Sequence, residues 1–186
     1  MPDLIGNYEV SVLDVLGIGH FGQVYKATHQ ITKDIAAIKQ IQLSHDDVDA
    51  HDSYLHDLAE LEIDTLKTLT HPNIVKYITH IVQNDSVYIV TEYCDLGHIG
   101  KYLKSNPNLQ IHVKARLVLE SAQAVAYMHG QKSPIIHRDI KIENILIKTE
   151  GCEATAKLSD FGLAKVLDKS DFKIASHRLW RHQLML

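Results

Sequence analysis

Alternating apolar and polar positions dominate the first ninety residues and predict a β-rich segment that contains one helix. The strands are predicted at residues 8–16, 24–27, 35–41, 74–81 and 87–93, with a glycine-rich turn after the first and a polar turn at 83–86. The helix is predicted from leucines that recur at helical spacing, namely Leu58, Leu61, Leu66 and Leu69. Pro72 follows them and ends the helix, because proline has no amide hydrogen and its ring clashes with the preceding turn.

The pattern changes to helical spacing in the second half of the chain. Helices are predicted at residues 99–104 and 111–129, and the longer one can place Val113, Leu117, Ala124 and Met128 on one face. A break at 131–134 ends it. The 186 residues suffice for one large domain or two small lobes.

Composition narrows the class of protein. The chain is 45% apolar and 23% charged, so it is too hydrophobic to be disordered, and its net charge of −4 favours neither nucleic acid nor anionic membrane as a partner. Its two cysteines, Cys94 and Cys152, cannot form a disulfide framework and fit a reducing compartment. We expect no signal peptide and no membrane-spanning segment, and hence a soluble, cytoplasmic protein.

A glycine-rich segment follows the first predicted strand. Gly17, Gly19 and Gly22 allow the backbone to bend and to lie close over phosphates, where a Cβ would intrude. The same spacing occurs in plain hairpins and in dinucleotide-binding folds. The latter require a helix after the third glycine, whereas Val24 begins an alternating strand here, which disfavours a dinucleotide site.

Three short words in the second half carry the chemistry. They are His137-Arg138-Asp139, Asn144 five residues after that aspartate, and Asp160-Phe161-Gly162. Their spacing suits two magnesium-binding positions beside one proton acceptor, an arrangement that transfers a phosphoryl group from ATP to a hydroxyl. Each word alone could be chance or a surface turn. Their order, after a glycine-rich loop and the Ala37-Ile38-Lys39 strand, excludes chance.

With these words the chain resembles the eukaryotic protein kinase domain, from residue 8 to about residue 173. The resemblance implies an α+β, bilobal, protein-kinase-like fold with a complete antiparallel-sheet N-lobe and an incomplete helical C-lobe. It divides one domain, 1–186, into an N-lobe at 8–91, a hinge at 92–97, a partial C-lobe at 98–173 and an atypical tail at 174–186. Lys141, two residues after the aspartate, resembles the serine/threonine type.

The resemblance also assigns catalytic roles. Lys39 would hold the α- and β-phosphates and pair with Glu62 of the helix, with Glu60 as the alternative partner. Asp139 would accept the proton of the substrate hydroxyl, and Lys141 would lie beside the γ-phosphate. The metal positions would be Asn144 and Asp160. The implied cofactors are ATP and Mg²⁺.

The remaining implied residues form the nucleotide pocket. The backbones of Glu92 and Cys94 would bind the adenine edge, with Thr91 as gatekeeper behind it. Small apolar residues and the glycine-rich loop complete the set, namely Leu16, Gly17, Gly19, Gly22, Val24, Ala37 and Leu146. A protein substrate is implied, and a regulatory protein partner is a further expectation. Cys94 is expected to be a small hinge residue and not a reactive thiol, since no basic neighbours lower its pKa.

Two stretches lie outside this pattern. Residues 44–57 are rich in aspartate and histidine, which allows a metal site but favours a solvated loop leading into the helix, because the spacing matches no tight ligand template. Residues 174–186 contain no Ala-Pro-Glu word, so we expect either a frameshifted or mis-assembled reading of a longer kinase or a chain that ends there. The alternative function is then a non-catalytic ATP-binding or interaction module, with an apolar face exposed on helix 111–129.

Overall fold

The computed structural model describes residues 3–19, 22–43 and 51–167. Its first part is one antiparallel six-stranded sheet in the order β1-β2-β3-β4-β6-β5. The strands are β1 (Asp3–Ile5), β2 (Tyr8–Gly19), β3 (Gly22–His29), β4 (Ile35–Gln42), β5 (Tyr77–Gln83) and β6 (Ser86–Glu92). Helix α1 (His51–Thr68) lies between β4 and β5 in the chain.

Both faces of this sheet are covered with apolar side chains. On one face Ile41 and Ile89 join Ala59, Ile63 and other residues of α1 in a buried cluster. On the other face Ile38 and Val90, which are cross-strand partners and fully buried, form the centre of a second cluster. The sheet therefore curls around the second cluster on its outer face and packs against α1 on its inner face. Contacts on both faces fix the position of β4.

The side chain of Gln83 forms hydrogen bonds that join the two edges of the curled sheet. Gln83, at the end of β5, accepts a bond from the Gly6 N–H at 3.1 Å and donates to the Leu4 carbonyl at 3.0 Å. Gly6 has a φ of +55°, which favours glycine in the turn between β1 and β2. The sequence pattern missed β1, because three residues are too few to show alternation.

The expected strand at 74–81 is wrong at its start, since β5 begins at Tyr77. Ile74 and Val75 are buried and leave the sheet: Ile74 forms a parallel bridge with Leu158, and the Val75 N–H donates to the Leu158 carbonyl at 3.0 Å. Asn73 adds a side-chain bond to the Ala156 carbonyl at 3.0 Å. These contacts fasten the sheet-bearing lobe to the second lobe.

The second lobe contains helices α2 (Ile99–Ser105) and α3 (Ile111–His129), the hairpin β8 (Ile145–Glu150) and β9 (Glu153–Leu158), and the short pair β7 (Ile135–Ile136) and β10 (Lys165–Val166). Helix α3 buries Leu117, Ala124 and Met128, as predicted, whereas Val113 is only half-buried. Its outer side exposes Ile111, Val118 and Leu119. Among the described residues no helix is both long and apolar enough to cross a membrane.

Candidate active site

Lys39 and Glu62 form a buried ion pair between strand β4 and helix α1. The Lys39 Nζ lies 2.9 Å from Glu62 Oε1 and 2.7 Å from Oε2, and the Glu62 side chain is 4% exposed. The sheet face that carries Lys39 also packs against α1, whose inward face carries Glu62. Glu60 points to solvent, with its carboxylate 3.7 Å from His56, so the structure places Glu62 and not Glu60 against the lysine.

Burial acts on both members of this pair. It raises the pKa of the Glu62 carboxyl above its ordinary value, against the opposing effect of Lys39. Burial alone would lower the pKa of Lys39, but the charges of Glu62 and Asp160 outweigh it and raise that pKa. The two contacts of under 3 Å hold Lys39 Nζ against both oxygens of the Glu62 carboxyl group.

Asp160 approaches the same lysine from the second lobe. Its Oδ1 accepts a bond from Lys39 Nζ at 2.7 Å. Its backbone has a φ of +63°, a left-handed conformation that few residues other than glycine adopt. The following Phe161 is fully buried and packs against the His137 ring, with the ring centroids 5.0 Å apart. This anchor holds the turn that presents Asp160.

Asp139 is held by two neighbours on its own loop. Lys141 Nζ donates to Asp139 Oδ2 at 2.6 Å, and Asn144 Nδ2 donates to the same oxygen and to the Asp139 carbonyl, both at 2.9 Å. The bond from Lys141 is the main reason that the Asp139 pKa lies below its ordinary value. Asp139 is therefore an ionised, oriented carboxylate that remains partly exposed.

Two residues that the sequence analysis gave no separate role connect these groups. Ser159 donates to the Asn144 carbonyl from its backbone N–H at 2.9 Å and from its hydroxyl at 3.0 Å. His137 bonds the Ser159 carbonyl at 3.0 Å through Nε2, and its Nδ1 accepts from the Asp139 N–H at 3.3 Å. Their sequence signal was position alone: His137 is the first residue of the His137-Arg138-Asp139 motif, and Ser159 directly precedes Asp160.

The glycine-rich segment is more regular than predicted. Instead of a tight loop from residue 17, β2 continues to Gly19, which pairs with Gly22 at the start of β3. Gly22 has a φ of +140°, and a Cβ there would lie 1.8 Å from the Gln40 carbonyl oxygen. At Gly17 a Cβ would meet nothing within 4 Å. Of these two glycines, Gly22 is required by packing of the protein itself, and Gly17 leaves open space beside the strand.

The sheet register places part of the predicted pocket on one face. Val24 lies opposite Lys39, and Ala37 lies opposite Thr91. Paired residues, and residues two apart on a strand, share a face, so these four side chains line the same side of the sheet. Leu16 is on β2, 47% exposed, next to Gly17, which is the partner of Val24.

The other predicted pocket residues lie in two segments, the chain that connects the two lobes and the β8–β9 hairpin. Glu92 is the last residue of β6, and Cys94 is buried two residues later. Leu146, the predicted pocket residue on β8, is half-buried and contacts the main apolar cluster.

The expectation that no basic residue lies near Cys94 is wrong in space, since Lys148 and Lys157 both act on its thiol. Burial nevertheless dominates and raises the pKa of Cys94 to about 12, which leaves the thiol unreactive, as expected.

The donor set fits a magnesium nucleotide. Asn144 uses its amide nitrogen on Asp139, which directs its amide oxygen away from that carboxylate, and Asp160 contributes carboxylate oxygens. Carboxylate and amide oxygens are the protein ligands that Mg²⁺ prefers. Lys39 adds a cation suited to phosphate. The other candidate, the polar segment before α1, lies partly outside the described residues; within α1, His56, Asp57 and Glu60 cluster but are all exposed.

Comparison with known proteins agrees with this geometry. The family model of the protein kinase domain matches residues 10–179. Cell division control protein 7 of Schizosaccharomyces pombe is 35% identical over 174 residues, covering 92% of this chain and 15% of that protein. Cytokinesis protein sepH of Aspergillus niger is 39% identical over 151 residues, covering 81% of this chain and 11% of that protein. The chain, which thus spans less than a sixth of either relative, belongs to the eukaryotic protein kinase family.

Proposed function

We propose that this chain carries a serine/threonine protein kinase site that binds ATP with Mg²⁺ and transfers the γ-phosphate to a protein hydroxyl. The observation that carries the proposal is the convergence of Lys39, Glu62 and Asp160 at distances of 2.7–2.9 Å, next to the loop of Asp139 and Asn144. Cations and oxygen ligands aligned in this way supply the positioning and charge neutralisation on which phosphoryl transfer depends.

The roles of the chain's residues follow from their contacts. Glu62 orients Lys39 toward the α- and β-phosphates, and Asp139 orients the attacking hydroxyl and accepts its proton. Asn144 and Asp160 are the residues that would hold Mg²⁺, which when bound neutralises charge on the phosphate oxygens. Lys141 would lie beside the γ-phosphate, and its 2.6 Å bond to Asp139 supports this role.

Serine/threonine specificity rests on Lys141 in the motif loop, which resembles that type of kinase. We also propose a protein substrate, as the family resemblance implies, and a cytoplasmic location. The names of the two relatives refer to cell division and cytokinesis, which supports a role inside the cell. We further propose the division into an N-lobe at 8–91, a hinge at 92–97 and a C-lobe from 98, since the sheet ends at Glu92 and α2 begins at Ile99.

The second candidate is an ATP-binding or interaction module without turnover. Among the described residues, the outer side of α3 exposes Ile111, Val118 and Leu119. This apolar surface favours the second candidate, because it would suit a protein partner. A regulatory protein is one partner that would fit either candidate.

Two measurements on the same chain separate the candidates. Titration with Mg-ATP measures binding, and radiolabelled phosphate transfer to a generic protein substrate measures turnover. Asp139→Asn is the control, because asparagine keeps the size of the side chain but cannot accept the proton. Binding with transfer that disappears in Asp139→Asn supports the kinase. Binding without transfer supports the ATP-binding module. Absence of binding contradicts both the kinase and the ATP-binding module and leaves only an interaction module.

A further inference from the structure

The Glu92 carboxylate is almost buried and is surrounded by donors. Its side chain is 11% exposed, its Oε1 accepts from the Lys76 N–H at 2.9 Å, and its Oε2 accepts from Lys148 Nζ. The buried Lys157 lies 3.5 Å from Oε1 and 2.7 Å from Glu150. A buried carboxylate is costly unless its oxygens are satisfied, and here both are.

The bond to Lys76 changes the end of the sheet. In a regular antiparallel pair two residues exchange N–H to carbonyl bonds in both directions. The Glu92 N–H does donate to the Lys76 carbonyl at 2.9 Å, but the Lys76 N–H returns to the Glu92 side chain and not to its carbonyl. The side chain therefore replaces the main chain as acceptor, and the Glu92 carbonyl is released from this pairing where the hinge begins.

Charge keeps this arrangement in place. Burial alone would raise the pKa of Glu92, but the bonds from Lys148 and from the Lys76 N–H outweigh it and hold the pKa below its ordinary value. The same contact raises the pKa of Lys148 against the effect of burial. Both groups are charged at neutral pH.

The hinge is also bonded to β8 at successive points after Glu92. The Asp95 carboxylate accepts from the Thr149 N–H at 2.8 Å and from its hydroxyl at 2.7 Å. The Leu96 N–H donates to the Ile147 carbonyl at 3.1 Å, and the Ile147 N–H donates to the Gly97 carbonyl at 2.7 Å. The β8–β9 hairpin thus fastens the hinge along its length, with the charged contact at Glu92 as the first point.

We propose that Glu92 is a positioning residue for nucleotide binding: its side chain, held by Lys148, Lys157 and the Lys76 N–H, presets the hinge main chain that meets the adenine. The role rests on the proposed function, because it presumes that adenine binds at the hinge. The proposal gives the side chain of Glu92 a role separate from that of its backbone. It also implies that the two hairpin lysines, Lys148 and Lys157, contribute to the affinity for nucleotide although neither lies in the predicted pocket.

The test compares Glu92→Gln with a matched control, Glu120→Gln. Glu120 is similarly buried, with 13% exposure, bonds a cation, Arg116, at 3.1 Å, and accepts from the Ala156 N–H at 2.8 Å, but it lies on α3 away from the hinge. Calorimetric titration with Mg-ATP should show that Glu92→Gln raises the Kd about tenfold, the effect of roughly one charge-assisted bond. Glu120→Gln should leave the Kd unchanged.

Lys148→Met provides a second, independent variant. If Glu92 acts through Lys148, the double variant Glu92→Gln/Lys148→Met should bind ATP about as weakly as either single variant, because the two changes break one contact. Additive losses, or an equal loss of affinity in Glu120→Gln, would overturn the proposal.

Hydrogen exchange of the hinge amides, measured without nucleotide, separates this proposal from the proposed function. Faster exchange at residues 93–97 in Glu92→Gln, and not in Glu120→Gln, supports the positioning role even if the unaltered chain binds no ATP. In that case the nucleotide site fails and the hinge contact stands. Unchanged exchange in Glu92→Gln overturns the positioning role whatever the unaltered chain binds.

Discussion

The Nζ of Lys39 lies 2.7 Å from Asp160 Oδ1 although the two residues are 121 positions apart in the chain. Because the same atom bonds both oxygens of Glu62, one cation joins a strand, a helix and the second lobe. Two carboxylates share this cation, so displacement of either one changes the charge that the lysine presents to a phosphate. The relationship couples the position of α1 to that of the Asp160 turn.

Removal of this cation is expected to destabilise the fold as well as the reaction. Lys39→Met leaves Glu62, 4% exposed, without its partner, and loss of one member of a buried pair costs about 3–5 kcal/mol. We expect the free energy of unfolding in denaturant to fall by roughly 3 kcal/mol and phosphate transfer to fall at least about 100-fold. The double variant Lys39→Met/Glu62→Leu should regain stability but not transfer. A stable single variant would contradict this.

Substitution of alanine at two glycines should change the free energy of unfolding by very different amounts. At Gly22, with a φ of +140°, the new Cβ would overlap the Gln40 carbonyl oxygen at 1.8 Å, whereas at Gly17 it would meet nothing within 4 Å. We expect Gly22→Ala to lower the free energy of unfolding by at least ~2 kcal/mol and Gly17→Ala to change it by less than about 0.5 kcal/mol. Thermal unfolding of the pair measures both. Equal melting temperatures would show that the turn can relax.

The hydroxyl of Thr65 has no hydrogen-bond partner although it is buried on α1. An unsatisfied buried hydroxyl costs roughly 1–3 kcal/mol, so Thr65→Val, which keeps the shape, should raise the free energy of unfolding by about 1 kcal/mol. Thr68→Val is the matched control, since that hydroxyl donates to the Thr65 carbonyl at 2.8 Å. Denaturant titration should rank Thr65→Val as the more stable of the two, and the reverse order would place a water at Thr65.

The pKa of His137 should make stability depend on pH. Burial lowers that pKa below its ordinary value of 6.5, against the bond to the Ser159 carbonyl. The unfolded chain therefore binds a proton first as pH falls through 6.5, so the free energy of unfolding decreases below that pH, by up to about 1.4 kcal/mol per unit. His71, whose pKa is also lowered by burial, adds a slope of the same sign.

Denaturant titrations between pH 5 and pH 7.5 test this dependence. His137→Gln should reduce the slope below pH 6.5, because glutamine can still donate to Ser159 and does not titrate. An undiminished slope would assign the dependence to other groups.

Local pattern predicted most of the elements, because regular alternation and helical spacing reflect which face is buried. Helix α3 runs from Ile111 to His129 as predicted. The failures occur where tertiary contacts override local preference. Ile74 reads as strand but forms a bridge to Leu158 in the other lobe. Asp3–Ile5 pairs with β2 although it is too short to show alternation, and Gln83 bonds this end of the sheet from the opposite edge.

The residues of the candidate site could be predicted where they belong to short sequence motifs. They could not be predicted where a contact combines residues from three distant segments. Lys39, Asp139 and Asp160 lie in recognisable words. The surroundings of Glu92 do not, because Lys76, Lys148 and Lys157 come from separate strands and connections, and no spacing in the sequence brings them together. Lys148 and Lys157 also overturn the expectation that no basic neighbours lower the pKa of Cys94.

The two cysteines differ so much in exposure that an alkylating dye should react selectively with one of them. Both cysteines of the sequence are described: Cys94 is buried, with its pKa raised to about 12, and Cys152 is exposed at the turn of the β8–β9 hairpin. Since the thiolate is the reactive form, a maleimide near neutral pH should couple at Cys152 alone. The unaltered protein thus carries one built-in attachment point for a fluorophore, placed where it can report on motion of the hairpin without an engineered cysteine.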